Sequence, residues 1–156
     1  MIRPHLEYCH AITHPRLARQ MNDIEGVLRR ASKQIAEIRD LPYSRRLQIL
    51  KLPSMKYRLK RGNMVEVYKY LRSGYAAQHE DISLTISSSI TRGHRLKLVK
   101  PRCASTLRLK TFPNRIIDSW NELLEHVAGA PSLNCFKARL DGHWANIMFE
   151  IEYLKP

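Results

Sequence analysis

Acidic residues are missing from two long stretches of this chain of 156 residues. None lies between Asp40 and Glu66, and none between Asp81 and Asp118. Long apolar runs are missing as well. No stretch of about 18 apolar residues occurs, which excludes a membrane-spanning helix in the usual sense. The start, Met1-Ile-Arg-Pro-His5, lacks the apolar core of a signal peptide. The absence of a leader also fits a piece of a longer protein. Cysteine is scarce: three residues, an odd number and widely spaced, which argues against a disulfide framework. These absences predict an intracellular protein, nuclear or cytoplasmic, not secreted and without a membrane partner.

What fills the acid-free stretches is basic. The first carries Arg45, Arg46, Lys51, Lys56, Arg58, Lys60 and Arg61. The second carries Arg92, Arg95, Lys97, Lys100, Arg102, Arg108, Lys110 and Arg115, with His94 among them. The whole chain has 27 lysines and arginines against 14 acids, a net charge of +13. A protein basic only for solubility would spread these charges. Clustering raises the local positive potential and selects polyanions, of which phosphate backbones are the commonest. Hydrophobic residues make up 44%, enough for a core, which argues against wholesale disorder.

Periodicity predicts a mainly α fold: amphipathic helices with a short central β-hairpin or extended ribbon. Ile2, Leu6, Cys9 and Ile12 recur at roughly helical spacing before Pro15. Leu17, Met21, Ile24, Leu28, Ala31, Ile35 and Ile38 then predict one amphipathic helix of about six turns, ending at Leu41-Pro42. A short helix through Leu50 follows, with Pro42 in its first turn. A third helix is predicted with Met55, Leu59, Met64, Val65, Tyr68 and Leu71 inward, weakened by Gly62. Arg95–Val99 and Thr106–Lys110 alternate polar and apolar residues, the period of extended chain, which puts Leu96 and Leu98 on one face and Arg95, Lys97 and Val99 on the other. Helical spacing resumes with Phe112, Ile116, Ile117, Trp120, Leu123 and Leu124. Ser132 is placed to cap a last helix with Leu133, Phe136 and Leu140 on one face. The expected organisation is a helical segment at 1–72, a flexible loop at 73–91, and a basic ribbon with C-terminal helices at 92–156. An apolar extension runs from Ile147 to Leu154.

Several enzyme classes find no support. No Gly-x-Ser-x-Gly elbow and no phosphate loop ending in Gly-Lys-Ser/Thr is present. His5, Cys9 and His14 are neighbours without a fourth ligand, and Cys103, Cys135 and His143 are scattered, whereas structural zinc sites use close pairs. The sequence predicts no catalytic residue, no metal site and no cofactor.

A set of short phrases occurs in order: Arg3-Pro-His-Leu-Glu-Tyr-Cys9, Arg29-Arg-Ala-Ser-Lys33, Leu41-Pro-Tyr-Ser-Arg-Arg-Leu47, Leu52-Pro-Ser-Met-Lys-Tyr-Arg58, Arg61-Gly-Asn-Met-Val-Glu-Val-Tyr-Lys69, Thr91-Arg-Gly-His94, Lys100-Pro-Arg-Cys103 and Asp118-Ser-Trp-Asn121 before Ala130-Pro-Ser132. Together they resemble the C-terminal part of non-LTR retrotransposon reverse transcriptases of the jockey and chicken-repeat type. The resemblance implies the thumb and the segment after the palm. It implies a role in holding the template-primer duplex, with the missing palm of the parent polymerase as a partner. Polymerases need close carboxylates for two metal ions. The reverse transcriptase signature, an aromatic, any residue and two aspartates, is absent, and the lone pair Glu80-Asp81 reads as a solvated loop. The isolated chain is therefore expected not to polymerise.

Non-catalytic binding to an RNA or DNA backbone is the remaining expectation. Its candidate residues are Arg92, His94, Arg95, Lys97, Lys100 and Arg102, a ridge around the Gly93 turn with no acid to neutralise it. A second candidate is the face with Lys56, Arg58, Lys60 and Arg61. Two rivals stand beside it: a decayed transposon reading frame without a role of its own, and a domesticated protein-interaction module using the apolar tail.

Overall fold

The computed structural model describes residue 15 and residues 17–72, 84–88 and 93–150. The helical spacing at Ile2–Ile12, the His5, Cys9 and His14 group, Arg92, most of the 73–91 loop and the tail beyond Glu150 lie outside the described residues. The fold is mainly α-helical. Its described helices are α1 (Ala18–Lys33), α2 (Tyr43–Ile49), α3 (Met55–Arg72), α4 (Thr106–Leu109), α5 (Phe112–Asn121), α6 (Glu125–Ala128) and α7 (Leu133–His143), with 3-10 turns at Ala36–Ile38 and Ala145–Ile147.

The chain divides into two compact units, 1–62 with 144–156, and 63–143. The division falls inside α3, not in the 73–91 loop. Periodicity could not show this, because it reports which face of a helix is apolar and not which unit covers it.

In the first unit, α1 is shorter than the apolar spacing predicts. It ends at Lys33, Ile35 turns extended (φ −85°, ψ 112°), and Ile38 is buried from a 3-10 turn instead. Leu28, Tyr43, Leu47 and Met55 form the core, with Ile24, Leu52 and Phe149 packed against it. The C-terminal return is held by a backbone hydrogen bond from Ser54 N–H to the Met148 carbonyl. Tyr57 meets the edge of Trp144 at 6.4 Å.

A buried carboxylate organises this unit. Glu25, on α1, is 6% exposed. Its Oε1 accepts the Tyr43 hydroxyl at 2.6 Å, and its Oε2 accepts the Met55 N–H at 2.8 Å and the Lys56 N–H at 3.4 Å. The last two are first-turn amides of α3, which have no partner within the helix. A negative charge there also complements the helix dipole. The Tyr43 ring in turn lies under two guanidinium groups, Arg29 at 5.1 Å and Arg46 at 5.4 Å. Arg46 is buried, and its Nε and Nη1 have no hydrogen-bond partner, so the ring face is its visible compensation.

Burial, and then the hydrogen bond to Glu25, pushes the Tyr43 phenol above its ordinary range. The folded state keeps a proton that the unfolded chain releases above about pH 10. The associated stability is complete below that pH and declines as pH rises, by up to about 1.4 kcal/mol per pH unit for one proton. Urea unfolding between about pH 9 and pH 11.5 should show this alkaline decline. In Tyr43→Phe it should be shallower by one proton. An identical decline in both proteins would place the responsible group elsewhere.

The second unit is built on aromatic packing. Tyr68 stacks on Phe136 at 4.4 Å, and Trp120 tilts against Phe136 at 5.9 Å. The Tyr68 hydroxyl donates to the Ala130 carbonyl at 2.6 Å. Met64, Val67, Ile116, Ile117, Val127 and Leu140 are buried with them. The central extended element is small. Ile86 and Leu98 form an antiparallel bridge, with Ser87 N–H to Lys97 O at 2.7 Å and Val99 N–H to Thr85 O at 2.8 Å. The partner of Arg95–Val99 is thus 85–87. Thr106–Leu109, which alternates in sequence, is a helical turn. The five-residue alternation at Thr106–Lys110 is too short to separate the two periods.

Candidate nucleic-acid interface

The basic segment after Gly93 is an extended chain held along both edges. Gly93 has φ +111°, a conformation that side chains other than hydrogen rarely adopt. A Cβ there would also come within 2.9 Å of Lys97 Cε. From Gly93 the chain runs along the end of α5. Trp120 Nε1–H donates to the Leu96 carbonyl at 2.7 Å. The Asn121 side chain makes a two-point contact with Leu98, accepting its N–H at 2.8 Å and donating to its carbonyl at 2.9 Å. The side-chain amide therefore substitutes for a β-strand neighbour, while 85–87 occupies the opposite edge. Glu125 Oε2 accepts the Arg95 N–H at 3.0 Å.

The expected alternation holds at Leu98 and Val99 but not at Leu96 and Lys97, which are both half-buried. Leu98 is 3% exposed and Val99 47%. Arg95 and Arg102 are exposed, and Lys97 is half-buried. Lys100 is exposed but paired: its Nζ lies 2.5 Å from Asp118 Oδ2. The ridge is free of acid in sequence but not in space, because α5 and α6 bring Asp118 and Glu125 to it. The Lys100 pair is solvated and contributes little to stability. It does tie that ammonium down.

His94 leaves the candidate set. It is 2% exposed, its Nε2–H donates to the Trp120 carbonyl at 2.9 Å, and its ring meets the Trp120 edge at 5.8 Å. A carbonyl only accepts, so Nε2 carries the proton. His94 is a core residue that anchors the turn rather than a surface group for stacking on bases.

The basic surface continues beyond the expected residues. Arg108 and Lys110 are exposed on and after α4. The Arg108 carbonyl accepts from Thr111 Oγ1 at 2.7 Å, Asn114 Nδ2 at 2.7 Å and Thr111 N–H at 3.2 Å. These bonds fix the turn from its backbone and leave the guanidinium outward. Both residues belong to the acid-free block, so composition alone pointed to them.

The second candidate face lies in the other unit. Lys56 is exposed, and Arg58, Lys60 and Arg61 are half-buried. Lys60 Nζ sits 4.6 Å above the Trp144 ring. That ammonium is engaged with an aromatic face, so Lys60 is a weaker phosphate contact than its spacing suggests.

The phrases Thr91-Arg-Gly-His94 and Asp118-Ser-Trp-Asn121, far apart in sequence, meet here. His94 binds the backbone of Trp120, and Trp120 and Asn121 bind the backbone at Leu96 and Leu98. Asn121 and Asp118 were visible in sequence only as members of such a phrase, since neither type nor spacing identifies a side chain that props up a loop. Among the described residues no group of three or more His, Cys, Asp or Glu could hold a metal ion. Nor is any described helix long and apolar enough to cross a membrane. In comparisons with known proteins, no family model, no curated protein and no solved structure matches the chain.

Proposed function

We propose that this chain is a non-catalytic, nucleic-acid-binding segment, derived from the thumb and post-palm region of a non-LTR retrotransposon reverse transcriptase and acting inside the cell, in nucleus or cytoplasm. The observation that carries it is the basic surface at Arg95, Lys97, Arg102, Arg108 and Lys110, whose backbone α5 holds at Leu96, Leu98 and Arg108. An immobilised backbone lowers the ordering cost of presenting cations to a phosphate chain. Such contacts position a duplex without reading bases. The resemblance supplies the context, a palm domain and a template-primer duplex as partners. The reading assigns no polymerase chemistry to the chain.

Binding should be electrostatic and nearly indifferent to sequence. With about four to six phosphates neutralised, affinity should fall roughly 10²- to 10³-fold between about 50 and 200 mM salt. Replacing Arg95, Arg102 and Arg108 together with alanine should leave the thermal transition nearly unchanged, because exposed charges contribute little to stability. It should lower the salt slope by up to about three. Fluorescence anisotropy with an RNA–DNA hybrid and a DNA duplex measures both. Salt-independent binding, or a triple variant with the parent's slope, would remove this surface from the reading.

One observation favours the protein-interaction reading instead. Val99, Leu107 and Leu109 are 47%, 61% and 42% exposed amid the same cations. Phosphates do not require them. A cooperatively folded chain with no affinity for nucleic acid at low salt would favour that reading.

A further inference from the structure

Three hydroxyls in the described chain have an arginine three residues upstream: Ser32 after Arg29, Ser105 after Arg102, and Thr111 after Arg108. A serine/threonine kinase of the basophilic class selects this spacing by charge. It also needs a substrate segment that can extend through its cleft, with the hydroxyl free to reach the γ-phosphate of ATP. The structure separates the three. Ser32 is 3% exposed, lies within α1, and donates its hydroxyl to the Arg29 carbonyl at 3.0 Å. Thr111 is half-buried, with its hydroxyl on the Arg108 carbonyl. Ser105 is exposed, its backbone is extended (φ −95°, ψ 130°), and its side chain makes no capping hydrogen bond. Every residue from Val99 to Lys110 is exposed except the half-buried Cys103. Arg102 stands three residues before Ser105 and Arg108 three residues after it.

We propose that Ser105 is a phosphorylation site, and that its modification switches off the basic surface around it. In the transfer, the bond from the γ-phosphorus to the bridging oxygen of ATP breaks and ADP leaves. A bond from Ser105 Oγ to that phosphorus forms, and the hydroxyl proton passes to the kinase base. The phosphoserine brings about 1.5 to 2 negative charges at neutral pH and three acceptor oxygens. Set between Arg102 and Arg108, it competes for the cations that would otherwise meet a nucleic-acid backbone. The site itself stands on exposure and spacing. The switch rests on the nucleic-acid-binding reading.

The test uses the full folded chain, ATP and a purified basophilic serine kinase, with peptide mapping by mass spectrometry. One phosphate on Ser105 is expected in the folded chain, and none in Ser105→Ala. A synthetic peptide spanning Arg29 to Ser32 should be modified at Ser32, while Ser32 in the folded chain stays unmodified. No incorporation into the folded chain, or modification of Ser32, Thr106 or Thr111 in preference, would overturn the site. Binding of an RNA–DNA hybrid is then compared. The phosphorylated chain should bind about tenfold more weakly at about 100 mM salt, with a salt slope smaller by one to two. Ser105→Ala should bind like the parent. Equal binding by the modified and unmodified chains would overturn the switch while leaving the site. If the unmodified chain binds no nucleic acid, the functional reading fails and the switch with it, and the mapping result alone decides the site.

Discussion

Trp120→Ala is expected to lose about 3–5 kcal/mol of stability, the range for removing a large buried aromatic ring. Domains of this size are stable by on the order of 5–15 kcal/mol, so the loss takes a large part of the total. The indole is fully buried. It packs against Phe136 and the His94 ring, and its N–H holds the Leu96 carbonyl. Alanine leaves a cavity and an unpaired carbonyl together. Trp120→Phe separates these effects: it keeps a ring against Phe136 and loses the hydrogen bond, for roughly 1–3 kcal/mol. Urea unfolding followed by circular dichroism measures both. The chain has two tryptophans, so in either variant the fluorescence of Trp144 reports the first unit separately. A loss under about 1 kcal/mol for Trp120→Ala would mean that the 94–98 segment does not depend on α5.

Glu25→Ala should be comparably costly, about 3–5 kcal/mol from the loss of two hydrogen bonds to a charged acceptor, and should act in the first unit. The variant strips the buried Tyr43 hydroxyl and the Met55 amide of their acceptor. It also removes the one acid that Tyr43, flanked by Arg29 and Arg46, is bonded to. Unpaired buried donors carry a desolvation penalty, larger where the lost acceptor was charged. Glu25→Gln keeps the shape and one acceptor oxygen, and should cost less, roughly 1–3 kcal/mol. Equilibrium unfolding of the two variants in a Trp120→Phe background, where Trp144 fluorescence is the local probe, gives the order. If glutamine is as damaging as alanine, the charge matters more than the hydrogen bonds. If neither destabilises, the Glu25 contacts are not holding α2 and α3 to α1.

Much of the helical content was legible because helices advertise a face. Met55, Leu59, Met64, Val65 and Tyr68 are all buried along α3, at the spacing that identified them. Ile116, Ile117 and Trp120 are buried along α5 in the same way. The interruption of the first long helix was not legible. Ile35 fits the apolar stripe, yet it sits in extended backbone and is 37% exposed. A stripe records which residues prefer burial, and cannot record where the chain turns to bury them.

The candidate site divides along the same line. Charge clustering is a property of composition, so the basic block from Arg95 to Lys110 could be read directly, and alternation correctly turned Leu98 inward and Val99 outward. Sequence by itself determined the helical class, the two basic blocks and the faces of the long helices, because these follow from residue type and a local period. Only the tertiary structure decided which cations remain outward. It buried His94 against Trp120, paired Lys100 with Asp118, and laid Lys60 over Trp144. It also made Asn121 the neighbour of Leu98, and returned Phe149 to the first unit's core. Each of these joins residues far apart along the chain. Such contacts are set by packing and by the need to satisfy buried polar groups, and no local pattern encodes a partner that distant.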